Sequence, residues 1–136
     1  GQGADHAMHL YRNNFRPTEA MPKPEGVVCV WALAADTEEE AWRLFESRVR
    51  WKLDRNLGRI GALLPPEQAK RDYSASEQRT LTELKENALV GTAKQVVSKL
   101  RALAERLQIE EIVVITWTHD PAAQARSYEL LAQEIF

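Results

Sequence analysis

The strongest periodic signal lies in residues 90–120, VGTAKQVVSKLRALAERLQIEEIVVITWTHD. Val96, Leu100, Leu103 and Leu107 recur at i, i+4, i+7 and i+11, which places them on one stripe of a helix, while Lys94, Lys99, Arg101 and Glu105 lie mostly off it. Thr92, with Gln95 three residues later, forms a capping box at the start of that helix, and Gly91 before it permits a tight approach. After Gln108 the period changes. Ile112, Val113, Val114 and Ile115 are an uninterrupted β-branched run, which suits a strand covered on both faces, and such strands usually belong to parallel sheets. Asp120 followed by Pro121 reads as an N-cap and a first helical residue, so Thr116, Trp117, Thr118 and His119 join the C-terminal end of a strand to the N-terminus of a helix. In α/β folds ligands bind at such loops.

The rest of the chain is placed around this stretch. Met8, Tyr11 and Phe15 predict an amphipathic helix from Ala4 to Phe15 that Pro17 stops, and Pro22 and Pro24 stiffen the approach to a second apolar run at residues 27–33. That run predicts a second parallel strand, with Cys29 buried and inert inside it. Thr37 and Glu40 form another capping box, ahead of Trp42, Phe45, Val49 and Leu53 at helical spacing, with Arg43, Glu46 and Arg50 mostly facing water. Gly58, Gly61 and Pro65-Pro66 interrupt the helical pattern, and Ser74 with Glu77 forms a third box before Leu81 and Leu84. Residues 54–89 therefore read as an insertion packed loosely outside the core. Ala125, Tyr128, Leu131 and Ile135 mark a last helix.

The order is helix, strand, helix, insertion, helix, strand, helix: an α/β chain of two βα units with parallel strands and flanking helices, in one domain spanning 1–136. Two strands cannot close a barrel and leave both outer edges unpaired. The expected remedies are a homodimer or a missing N-terminal portion of the fold.

Composition narrows the function classes. In 136 residues, 44% are hydrophobic and 28% charged, which fits one globular domain. A formal net charge of -2 gives no general drive toward nucleic acid or anionic membrane, and no window is apolar for long enough to predict a membrane helix. A single cysteine excludes an intrachain disulfide and a multi-cysteine zinc site, and a cytoplasmic location is the default expectation. The chain starts at Gly1-Gln2-Gly3 and not at methionine, which reads as a processing scar or as a beginning inside a longer protein.

Candidate chemistry is sparse. His6 and His9 have an i, i+3 helical spacing that could hold a metal, but no HExxH pattern accompanies them and the surface reading is preferred, so no metal site is assigned. Gly58-Arg59-Ile60-Gly61 and Val90-Gly91-Thr92 match neither GxGxxG nor a Walker A sequence and read as turns. Arg48, Arg50, Lys52, Arg55 and Arg59 around Trp51 suggest a nucleic-acid patch, yet a helix spreads them around its circumference and Glu46 and Asp54 dilute them, so they read as a solvated face. No GxSxG serine is present. The loop from Thr116 to Asp120 is the best candidate site, set against a purely local role in capping the last helix.

Several segments, weak one by one but in a specific order, resemble the C-terminal part of the luciferase-like, flavin-dependent monooxygenases. They are Leu10-Tyr11-Arg12 through Phe15-Arg16-Pro17, Ala35-Asp36-Thr37 leading into Glu39-Glu40-Ala41, Gly61 through Leu64-Pro65-Pro66, Val90-Gly91-Thr92, and Thr116 to Asp120 continuing into Arg126-Ser127-Tyr128-Glu129-Leu130-Leu131-Ala132. The resemblance implies a (β/α)8 TIM barrel of which these strands are the last two. It also implies an oxidoreductase in which bound reduced FMN, or a deazaflavin, reacts with oxygen and a small organic substrate is oxygenated. A whole barrel takes about 250 residues, so the chain corresponds to a C-terminal portion, expected to be inactive and to bind no FMN alone. No catalytic or flavin-binding residue is carried over. Thr116, Trp117 and His119 are kept as residues at the mouth of a complete barrel. The alternative is a small α/β binding or assembly module without catalysis.

Overall fold

The computed structural model describes residues 2–136; Gly1, the first residue of the suspected processing scar, lies outside the described residues. The chain runs α1 (Gln2–Asn14), β1 (Val27–Ala34), α2 (Glu38–Asn56), α3 (Pro66–Ala69), α4 (Ala75–Glu86), β2 (Leu89–Gly91), α5 (Ala93–Leu107), β3 (Glu111–Ile115) and α6 (Pro121–Ile135). The strands form a parallel sheet in the order β2-β1-β3. Both predicted strands are present and parallel. The sheet has a third strand that the sequence reading lacked: β2 is three residues long, too short for any periodicity to register.

Register explains which residues share a face. β1 pairs with β3 from Val27 opposite Glu111 to Trp31 opposite Ile115, and with β2 from Ala32 opposite Leu89 to Ala34 opposite Gly91. One face of β1 therefore carries Val28, Val30, Ala32 and Ala34, the other Val27, Cys29, Trp31 and Leu33. The first face packs with Ile112 and Val114 of β3 against Val96, Val97 and Leu100 of α5 and Leu131 of α6. On the second face Leu33 meets Leu44, Phe45, Val49 and Leu53 of α2 and Leu81 of α4.

Four expectations are corrected here. Cys29 is exposed, and β3 alternates in burial, with Val113 and Ile115 each 42% exposed. An apolar run shows that a strand can be covered on both faces, not that something in this chain covers it, and α2 reaches only the C-terminal half of β1. Leu81 belongs to the main core and Ala69 is fully buried, so the segment after Pro65 is not packed loosely outside the core. Thr37 accepts the Glu40 amide but the return bond is replaced: the Glu40 carboxylate is drawn off by Arg43.

The other predicted boxes close in both directions, at Ser74 with Glu77 and at Thr92 with Gln95. Gly91 has φ +149°, and a Cβ there would lie 2.4 Å from Gln95 Oε1, so a side chain at this position would collide with the box. α5 ends on Gln108 in the left-handed region (φ 52°, ψ 50°), with the Ile109 amide donating to the Ala104 carbonyl. Arg12 of α1 donates to the carbonyls of Leu107 and Gln108, placing a cation at the negative end of α5, while Met8 packs on Leu107 and Ile109.

Candidate functional site

The C-terminal ends of β1 and β3 are held by side chains of α6. β1 and β3 stop pairing at Trp31 and Ile115. Beyond that point the Ala32 carbonyl accepts from Thr116 Oγ1 at 2.6 Å and the Ala34 amide donates to Ser127 Oγ at 2.9 Å, both buried. Thr116 is engaged on its backbone as well: its amide donates to Tyr128 Oη at 2.8 Å, and its carbonyl accepts from Gln124 Nε2 at 2.6 Å. Arg126 reaches the loop after β1 and pairs with Asp36 at 2.7 Å, holding that carboxyl below its usual range through the hydrogen bond. Asp120 caps α6 by accepting the Ala122 amide, with Pro121 at the first helical position. The run Arg126-Ser127-Tyr128 thus contacts both strand ends through three consecutive residues.

The opposite side of these strand ends is aromatic and cationic. The Arg48 guanidinium lies between two indoles, its Cζ 4.3 Å from the Trp31 ring centroid and 4.4 Å from that of Trp117. Trp51 meets Trp117 edge-on at 5.2 Å, Phe45 lies 5.7 Å from Trp31, and Arg55 stands over Trp51 at 5.3 Å. Such contacts attract a cation to a ring face but supply no hydrogen-bond acceptor. Arg48 Nη1 and Trp31 Nε1 are buried and have no acceptor among the described residues. Burial pulls the Arg48 pKa down to about 10, and Lys52 is also lowered, first by burial and then by the charges of Arg48 and Arg55.

Beside this cluster an open groove of about 930 Å³ follows the free edge of β1, where β2 no longer pairs with it. Cys29, Trp31, Phe45, Arg48 and Lys52 form part of its wall, and Lys99 and Arg106 of α5 line another part. Cations predominate around it, although Glu83 and Glu86 of α4 also contribute.

The three candidate residues of the loop fare differently. Thr116 is buried, and its hydroxyl, amide and carbonyl are all engaged within the fold. Trp117 is half-buried in the aromatic cluster, and His119 is exposed on the loop. His6 and His9 are exposed on α1, where His9 Nε2 is hydrogen-bonded to Asn13. Among the described residues no three His, Cys, Asp or Glu side chains converge to hold a metal.

The residue missed from sequence is Arg48, which the solvated-face reading grouped with its basic neighbours. That reading is corrected for Arg48 and Arg50: Arg48 is inserted between tryptophans, and Arg50 is half-buried in a pair with Asp54. The available signal was its position three residues after Phe45 and three before Trp51, which puts it on an aromatic side of α2.

No family model matches the chain. It is 36% identical over 138 residues to the uncharacterized protein YwcH of Bacillus subtilis (strain 168), covering 100% of this chain and 41% of that protein. It is 34% identical over 125 residues to a protein of Escherichia coli (strain K12) named luciferase-like monooxygenase, covering 91% of this chain and 37% of that protein. The crystal structure of apo-MsnO8 superposes with a TM-score of 0.79 at 26% identity, over 96% of this chain and 40% of that one. No helix of the described residues is long and apolar enough to cross a membrane. The chain is thus a homologue of a luciferase-like monooxygenase and spans about two fifths of the length of the curated relatives it matches.

Proposed function

We propose that this chain is the C-terminal portion of a flavin-dependent, luciferase-like monooxygenase, contributing three parallel strands with the helices that follow them to a (β/α)8 barrel, and one wall of its mouth. The observation that carries this reading is the 34% identity to the luciferase-like monooxygenase over 91% of the chain. The α6 contacts support it, because the quoted segments around Asp36, Thr116 and Arg126 meet one another at the strand ends, where barrel enzymes place their chemistry. A cytoplasmic protein acting on a small organic molecule and oxygen belongs to the same reading.

The described residues do not by themselves fit a flavin mononucleotide. When bound, reduced flavin would supply the electrons for oxygen activation. Its phosphate and ring edge call for many convergent donors, whereas the unengaged buried donors at this mouth are Arg48 Nη1 and Trp31 Nε1. The N-termini of α5 and α6 are already satisfied by Thr92 with Gln95 and by Asp120. No step through the cofactor is assigned to these residues. The wall they form would orient the organic substrate and exclude water from it.

Two measurements test the proposal. FMN fluorescence titrated with the 136-residue chain should show no saturable quenching in the low-micromolar range, since an incomplete site offers too few groups to offset the ordering cost. The coding frame upstream of Gly1 should continue for about 150–200 residues of alternating strands and helices. An immediate start codon there would favour a small binding or assembly module without catalysis.

A further inference from the structure

Positive charge on α2 is left without a counter-ion. Arg48, Lys52 and Arg55 follow one another at i, i+4 and i+7, so they share one side of the helix. None of them belongs to an ion pair among the described residues. Asp54, the nearest acid in the chain, is taken by Arg50 at 2.7 Å and approached by Arg71 at 4.0 Å. The two guanidinia are also fixed in place, because Arg48 lies between the rings of Trp31 and Trp117 and Arg55 stands over Trp51. The groove wall adds Cys29 of β1, Glu83 and Glu86 of α4, Lys99 of α5, and Arg106, which is already paired with Asp5. Neither glutamate forms an ion pair with Lys52.

Lys52 is the member of this cluster that can relieve the repulsion, because an ammonium gives up its proton far more readily than a guanidinium. Half-burial, and then the charges of Arg48 and Arg55, favour its neutral form. Unlike Arg48 Nη1, its Nζ is not sealed from solvent, and the groove that Lys52 lines gives a small molecule a way to it. A neutral amine removes one charge but still leaves the guanidinia without an acceptor. We infer that Lys52 is a carbamate-forming site, at which Nζ takes up carbon dioxide and presents the resulting carboxylate to Arg48 and Arg55. In this step the Nζ lone pair forms a C–N bond to carbon dioxide, one C=O π pair moves onto oxygen, and the nitrogen releases one proton to water. Nothing is oxidised or reduced. The side chain turns from a cation into an anion at the place where positive charge was uncompensated. Of the Arg48 nitrogens only Nη1 is buried without a partner, which leaves Nε and Nη2 to donate to such a carboxylate. A ready-made anion must be desolvated as it enters, whereas carbon dioxide enters uncharged and becomes the anion in place. The inference is independent of the monooxygenase reading, because neither flavin nor oxygen takes part.

The test is carbon-13 NMR of the full chain under a constant pressure of carbon-13-labelled carbon dioxide at about pH 8, where the α-amino group of Gly1 also forms a carbamate and serves as an internal reference. One further carbamate signal should appear. Lys52→Arg, which keeps the positive charge, should remove it and leave the Gly1 signal in place. Arg55→Gln, an exposed substitution, should lower occupancy of the Lys52 carbamate about twofold to fivefold, as for loss of one partly screened charge. When pH is raised at the same pressure, the Lys52 signal should grow in before those of exposed lysines such as Lys94, whose amines stay protonated longer. Absence of any signal beyond that of Gly1, persistence of the second signal in Lys52→Arg, unchanged occupancy in Arg55→Gln, or appearance only together with the exposed lysines would each overturn the assignment.

Discussion

The buried hydroxyl of Ser127 accepts the amide hydrogen of Ala34 at 2.9 Å, so a side chain of the last helix takes over from a strand at the edge of β1. The bond lies past the last β1–β3 pair, where the Ala34 amide would otherwise be buried without a partner. Ser127→Ala should therefore lower stability by about 1–3 kcal/mol, the range for orphaning a buried polar group. Urea unfolding followed by circular dichroism would show this as a lower midpoint at unchanged slope. A midpoint equal to that of the parent chain would mean that the bond contributes nothing net.

Gln108 ends α5 in the left-handed region, where a Cβ is unfavourable and glycine is not. Its amide donates to Glu105, and the turn is fixed by backbone bonds that glycine would retain. Gln108→Gly should raise stability by about 0.5–1 kcal/mol, the strain relieved minus the extra freedom of glycine in the unfolded chain. Thermal unfolding should show a higher midpoint; a fall would place the strain elsewhere.

Glu77 links α4 to the preceding loop. The Arg71 guanidinium, 2.6 Å away, and then the Ser74 amide hold its carboxyl down to about 2, below the ordinary 4.5. A carboxyl lowered on folding stabilises the native state above its unfolded value, and that contribution is lost as pH falls from about 4.5 toward 2. Glu77→Gln should accordingly be less stable than the parent at pH 7, with the difference shrinking steadily below pH 4.5. Urea midpoints of the two proteins across this window are the check, and parallel curves would rule out Glu77 as the titrating group.

The sheet leaves two edges open: β3 along its outer side, and β1 from Val27 to Trp31 where β2 does not reach. Val27, Val113 and Ile115 add exposed apolar surface to them. Unpaired backbone groups beside an apolar face favour association, because a helix can cover the face but cannot satisfy the edge. Light scattering coupled to size exclusion should give a mass near twice the 15.5 kDa of one chain. A single-chain mass that does not change with concentration would show that the edges are tolerated.

Local chemistry determined the elements of this protein. Capping residues at Ser74, Thr92 and Asp120, the stripe from Val96 to Leu107 and the two apolar runs act over a few residues, so their outcome is written in the order of the side chains. The short strand at Leu89–Gly91 was not legible, because three residues carry no period and become a strand only when Ala32, Leu33 and Ala34 lie alongside. Tertiary structure likewise decided the roles around the mouth. Thr116, adjacent to Trp117 in the chain, was drawn into the fold by Tyr128, Gln124 and Ala32, while Trp117 was set against Arg48. Arg48 and Trp117 are 69 positions apart in sequence and have no local pattern in common; their contact exists because the packing of α2 over Leu33 brings the middle of that helix to the end of β3. The sequence by itself determined where the helices and main strands form; which basic side chain was buried without a partner was decided by packing between distant elements, since burial depends on what the rest of the chain lays over a position.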